Sequence, residues 1–126
     1  MINNIDIDKC YFNPGCAISI YKPDIAQKMF ELLKNNLRNI KYHNICCHHN
    51  PKLKSGSVII NNCAGCDRRF SSIYEGISTI TFWEIINSMD IKLPNWNGLE
   101  VSVHDSCSFR KKPQVHEAVR NILKKK

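Results

Sequence analysis

The chain has 126 residues, 43% of them hydrophobic, and a formal net charge of +7. This length suits a single globular domain over residues 1–126 with a modest core, and no apolar stretch is long enough to predict a membrane span. The basic excess is local. Between Arg110 and Lys126 seven Lys or Arg meet one acid, Glu117, without interleaved aromatic residues, which fits a solvated helix end better than a nucleic-acid surface.

In chain order, Met1 to Asp8 is polar and mildly acidic, without the basic head and apolar run of a signal peptide; a cytoplasmic location with reduced cysteines is the expectation. Cys10 precedes a Pro14-Gly15 turn and is expected to be a small core residue, whereas Cys16 follows that turn on a loop. Pro23 at a first helical turn, Asp24 beside it, and Ile25, Met29, Leu32, Leu33 and Leu37 at helical spacing predict an amphipathic helix over 23–37. Residues 40–45 predict a short strand that delivers the doublet Cys46-Cys47. Pro51 to Gly56 is turn-rich, and the apolar run at 57–61 predicts a buried strand.

Cys63-Ala-Gly-Cys66 follows directly, with Phe70, Ile73 and Tyr74 at helical spacing, so this pair is expected at a strand-to-helix junction where backbone N–H groups favour thiolates. Thr81-Phe-Trp-Glu84 has the form of a capping box ahead of an apolar stripe of Phe82, Ile85, Ile86 and Met89. After a turn at 94–98, residues 100–103 predict a strand ending at His104 and Cys107, and Pro113 opens a basic last helix over 113–126 with Val115, Ala118, Val119 and Ile122 on one side. Strand, cysteine loop and helix recur, which predicts an α/β fold: a mainly parallel sheet with flanking helices and the cysteine loops gathered at the C-terminal strand ends.

Six of the seven cysteines form one uneven array: Cys16, Cys46-Cys47, Cys63, Cys66 and Cys107. Thiolates brought together repel one another unless a soft cation or a cluster neutralises them. An odd count with a vicinal doublet also argues against a disulfide framework. No nucleophile elbow, paired acid/base carboxylates or Gly-rich nucleotide fingerprint is present, so any flavin or nicotinamide is expected on a partner. His48 and His49 are adjacent, and in extended backbone only one of them faces the cysteines. His43 and His116 are expected to be surface or structural histidines rather than ligands. His104 is balanced between local hydrogen bonding and a catalytic role or one behind the site.

Asn13-Pro-Gly-Cys16, Cys46-Cys47-His-His-Asn-Pro51, Asn62-Cys63-Ala-Gly-Cys66 and Val103-His-Asp-Ser-Cys107 together resemble the cysteine-rich CCG domain found in heterodisulfide reductases and in anaerobic glycerol-3-phosphate dehydrogenases. The resemblance covers roughly residues 10–125 and assigns Cys16, Cys46, Cys47, Cys63 and Cys66 to one cofactor site. It implies a [4Fe-4S] cluster of noncubane type, with zinc as the alternative, and an oxidoreductase component that passes electrons or supports thiol/disulfide chemistry with redox partner proteins. A small-molecule or disulfide substrate is compatible with it. Cys107 would open a second motif, but no second doublet or Cys-x-x-Cys follows, so it is either an orphan or an additional candidate ligand of the one site. His48 replaces the family's glycine after the doublet and is an additional candidate ligand, and the spacer to Cys63 is shorter than in the family. Two other readings stay open: a structural zinc module using Cys47, Cys63, Cys66 and either Cys16 or a histidine, and a cofactor-free dithiol oxidoreductase using Cys63 and Cys66.

Overall fold

A computed structural model describes residues 9–37, 39–43, 47–89, 99–103, 109 and 111–124. The chain divides into two compact units, Met1–Thr81 and Phe82–Lys126. The first contains β1 (Cys10–Asn13), α1 (Cys16–Tyr21), α2 (Pro23–Asn36), β2 (Lys41–Tyr42), β3 (Val58–Asn61), α3 (Ala64–Ile73) and β4 (Ser78–Thr81). Its four strands form an all-parallel sheet in the order β2-β1-β3-β4, so the expected α/β class is what the structure shows.

Every residue of β3 is buried, as expected of a strand covered on both faces, and β-branched Val58, Ile59 and Ile60 suit that setting. It pairs with β1 through Phe12↔Ile60 and Asn13↔Asn61, and with β4 through Ile60↔Ile80. Neither β1 nor β4 is marked in the sequence by alternation. Cys-Tyr-Phe-Asn is too short and too evenly buried to alternate, and Ser-Thr-Ile-Thr holds one aliphatic residue, so both owe their strand state to the ladders of β3. Cys10 is wholly buried, the core position expected of it.

The predicted helix is α2, with Pro23 in its first turn, Asp24 toward its N-terminus and Lys34 in its last turn, complementing the dipole. Its buried side is centred on Ala26 and Leu33, with Leu37 buried at its end, whereas Ile25, expected on the stripe, is 39% exposed. Phe30 stacks on Phe12 at 6.3 Å and meets Tyr42 edge-on at 5.1 Å, which fastens α2 to the sheet. The loop expected at Cys16 is instead the first residue of α1.

The second unit contains α4 (Phe82–Ser88) and α5 (Pro113–Lys124). Phe82, Ile85 and Ile86 are buried on α4; Val115, Ala118 and Ile122 are buried on α5, and Val119 is half-buried. The strand expected at 100–103 does not form. Leu99, Val101 and Val103 are exposed, and no neighbouring strand among the described residues offers the ladder that would hold them extended. His104, Cys107 and the turn at 94–98 lie outside the described residues.

Candidate functional site

The strand order reverses once. β2 lies on one side of β1 and β3 on the other, so the chains leaving the C-terminal ends of β1 and β3 part to opposite sides and leave a crevice between them. The β1 exit carries Pro14-Gly15-Cys16, and the β3 exit carries Asn62-Cys63. A third segment, starting at Cys47, lies beside them. Together these walls enclose a cavity of about 400 Å³ lined by Cys16, Cys47, Cys63 and Cys66, with Asn13, Gly15, His48, Gly65, Arg68 and Arg69. Four of the five cysteines assigned to one site therefore share one cavity. Cys46 lies outside the described residues, as does Cys107; His48 is at the cavity wall and His49 is not among the lining residues.

Close approach of the loops depends on Gly15. It sits at φ +91°, a backbone region that disfavours side chains, and a Cβ there would lie 3.2 Å from the Cβ of Cys63 and 3.9 Å from the Sγ of Cys66. Behind the thiols runs a buried polar chain. Asn13 Nδ2 donates to Asn61 Oδ1 at 3.0 Å, and Asn61 Nδ2 donates to Asp67 Oδ1 at 3.5 Å, tying the ends of β1 and β3 to the first turn of α3. Such a network is favourable only when its members are satisfied, and it sets the register of the cysteine loops.

The sulfurs differ in character. Cys63 is exposed and caps α3 with extended dihedrals, while Cys66, one turn on, is buried. The Cys66 thiol donates toward Cys63, the N–H groups of Cys66 and Gly65 turn to the same sulfur, and Arg68 adds positive charge; together they outweigh partial burial and push the Cys63 thiol down to about 5. Cys66 moves the other way. Its hydrogen bond to Cys63, its burial and the neighbouring Cys63 and Cys47 sulfurs all favour the protonated thiol. Cys47, Cys63 and Cys66 thus form a contiguous sulfur cluster, and none of the five described cysteines is joined in a disulfide.

Among the described residues, no three His, Cys, Asp or Glu side chains already stand in metal-ligand geometry. The donor set still fits a thiophilic group: four soft sulfurs around one cavity, with two arginines and backbone N–H groups to offset thiolate charge. His43 behaves as expected of a structural histidine. It is buried between Tyr11 and Phe70 at ring distances of 6.2 and 6.1 Å, its two ring nitrogens have no hydrogen-bond partner among the described residues, and burial lowers its pKa, so it stays neutral. Asn13 and Gly15 stood in the sequence only as flanks of the Cys16 motif, and Arg68 and Arg69 were not singled out. The available signal for the arginines was adjacency: each lies within three residues of Cys66.

Fold and site define the class: a parallel α/β unit with a cysteine-lined cavity at its strand-order reversal. No family model, curated protein or solved structure matches the chain. Among the described residues no helix is long and apolar enough to cross a membrane.

Proposed function

We propose that the chain is an iron–sulfur redox module of the CCG type, in which Cys16, Cys47, Cys63 and Cys66, together with Cys46, hold a [4Fe-4S] cluster and a partner protein exchanges electrons with it. The observation that carries the reading is the convergence of Cys16, Cys47, Cys63 and Cys66, from three separate segments, on one cavity at the strand-order reversal. When bound, the cluster supplies one-electron chemistry whose potential depends on burial and on hydrogen bonds to sulfur. The chain's own residues do the rest. Gly65 and Cys66 N–H groups face the Cys63 sulfur, Arg68 and Arg69 offset negative charge, and the Asn13–Asn61–Asp67 chain holds the loops in register.

The test is anaerobic purification followed by iron, sulfide and zinc quantification and a visible spectrum. Iron and acid-labile sulfide in similar amounts, lost in Cys16→Ser and Cys63→Ser, support the proposal. About one zinc per chain with no iron and no visible absorption overturns it in favour of a structural zinc site.

One observation favours a second reading. An exposed low-pKa Cys63 hydrogen-bonded to a buried Cys66 at a helix start is the arrangement of an attacking and a resolving thiol. In that reading the pair reduces a disulfide without a cofactor, two electrons leaving the dithiol as Cys63 and Cys66 join. Disulfide reductase activity that survives the double change Cys16→Ala and Cys46→Ala would support it against the cluster.

A further inference from the structure

Among the described cavity cysteines, Cys16 opens α1, Cys66 lies within α3 and Cys63 caps that helix, whereas Cys47 sits in turn structure between β2 and β3 and adjoins no strand or helix. A thiol on such a segment reaches the same place each time only if its backbone is fastened. Two side chains of the α3 region do this. Arg69 Nε donates to the Cys47 carbonyl oxygen at 2.9 Å, and the Tyr74 hydroxyl donates to the same oxygen at 3.1 Å. Both bonds are partly shielded from water, both span more than twenty residues, and together they use both lone pairs of one carbonyl.

The helix geometry explains the pairing. Cys66, Phe70 and Tyr74 recur every four residues and Arg69 lies three after Cys66, so one side of this segment presents a cavity thiol, a core ring and both donors. Phe70 is wholly buried in a cluster with Ile59 and Cys66, against which Cys47 and Tyr74 pack, and the Phe70 and Tyr74 rings lie 5.8 Å apart. Arg69 also lines the cavity, so its charge stands at the site while its Nε is committed to the loop. The rigid segment that begins with Cys63 and Cys66 therefore also holds Cys47 beside them, where the Cys47 and Cys66 sulfurs interact.

We infer that Arg69 and Tyr74 are positioning residues that clamp the Cys47 carbonyl and thereby deliver the Cys47 thiol to the cavity; the inference rests on the proposed cofactor site for its purpose, but not for its geometry. The test uses the full chain with Tyr74→Phe, which deletes only the hydroxyl and keeps the ring, with Arg69→Met, and with both. The first readout is the alkylation rate of Cys47 relative to Cys63 in reduced, metal-free protein, read by peptide mass spectrometry. The expected result is a Cys47 rate raised about threefold or more in each single variant and further in the double, since a removed hydrogen bond of this kind changes a local equilibrium by about a factor of ten. The second readout is titration with cobalt(II), whose thiolate charge-transfer absorption scales with the number of bound sulfurs. Expected is about tenfold weaker binding with absorption reduced by one thiolate's share, the range seen when groups behind a metal ligand are removed.

Lysine at position 69 keeps the charge without the planar Nε donor, so Arg69→Lys should resemble Arg69→Met. Full rescue by lysine would assign the effect to charge alone and overturn the clamp. Cys47 labelling within twofold of the parent in Tyr74→Phe and Arg69→Met, with unchanged far-ultraviolet circular dichroism, would also overturn it. If the parent protein binds neither iron nor cobalt, the cofactor proposal fails, while the Cys47 labelling still decides the clamp.

Discussion

Lowering the pH from 8.5 to 5.5 should invert the order of reactivity between Cys63 and an ordinary thiol. With Cys63 pushed down to about 5, about three-quarters of it is thiolate at pH 5.5, against about one part in a thousand for a thiol titrating near 8.5. A less basic thiolate attacks more slowly, and a Brønsted coefficient of about 0.45 over that difference makes Cys63 roughly 40-fold less nucleophilic per thiolate. The product is an advantage for Cys63 of roughly 20-fold at pH 5.5, parity near pH 7 and a disadvantage of roughly 20-fold at pH 8.5. The assay is iodoacetamide labelling of reduced, metal-free protein across this range, quenched in acid and mapped by mass spectrometry, with an unstructured cysteine peptide as the reference. Cys66→Ala removes the thiol hydrogen bond that is the largest cause of the shift, so the Cys63 half-point should move upward in that variant. A parent half-point above pH 8, or one that Cys66→Ala leaves in place, would refute the reasoning.

Further outcomes follow from the same groups. Because the folded Cys63 thiol titrates below its unfolded value, the unfolded chain binds more protons between about pH 5 and about 8.5, so the stability due to this group is complete above that window and lost as pH falls through about 5. Cys66 has the opposite sign and costs stability above about pH 8.5, which should leave urea midpoints highest near that pH. Asn61→Leu strands the Asn13 amide donor in a buried site and should lower unfolding free energy by about 1–3 kcal/mol; a change under about 0.5 kcal/mol would contradict the role given to that network. Phe70→Ala opens a cavity beneath Cys47 and Cys66 and should cost about 3–5 kcal/mol, read by the same denaturation. Gly15→Ala meets both an unfavourable φ and the Cys63 Cβ, so it should cost about 1–3 kcal/mol and reduce iron or cobalt loading even where the fold survives.

Much of this was legible in the residues because the signals are local. Pro23 and Asp24 ahead of spaced aliphatics mark α2, and an uninterrupted Val-Ile-Ile ahead of Cys63 marks β3 and places the cysteine pair at a helix start. The soft-ligand character of the array needs only the chemistry of thiols. Where local signals were weak or unsupported, expectation and structure part. Residues 100–103 have strand-forming residues but no strand beside them among the described residues, while β1 and β4 hold strand-favouring Tyr, Phe, Thr and Ile without a clear alternation and form because β3 is there to pair with. Ile25 fits a helical stripe by spacing yet faces outward, because the side α2 buries is decided by where Phe12 and Tyr42 stand.

By itself the sequence determined the donor chemistry, the parallel α/β class and the placement of Cys63 and Cys66 at a junction, since these follow from residue type and short-range periodicity. Only the tertiary structure decided which separate segments bring their cysteines together. Strand order is a long-range property that no local pattern encodes, and it puts the Cys16 and Cys63 loops on either side of one crevice. The Asn13–Asn61 hydrogen bond, the Cys47 sulfur beside Cys66 and the Arg69–Tyr74 clamp on Cys47 depend on contacts between segments far apart in the chain, and contacts of that kind exist only once the sheet has assembled, whereas the inequality of Cys63 and Cys66 arises chiefly within the first turn of α3.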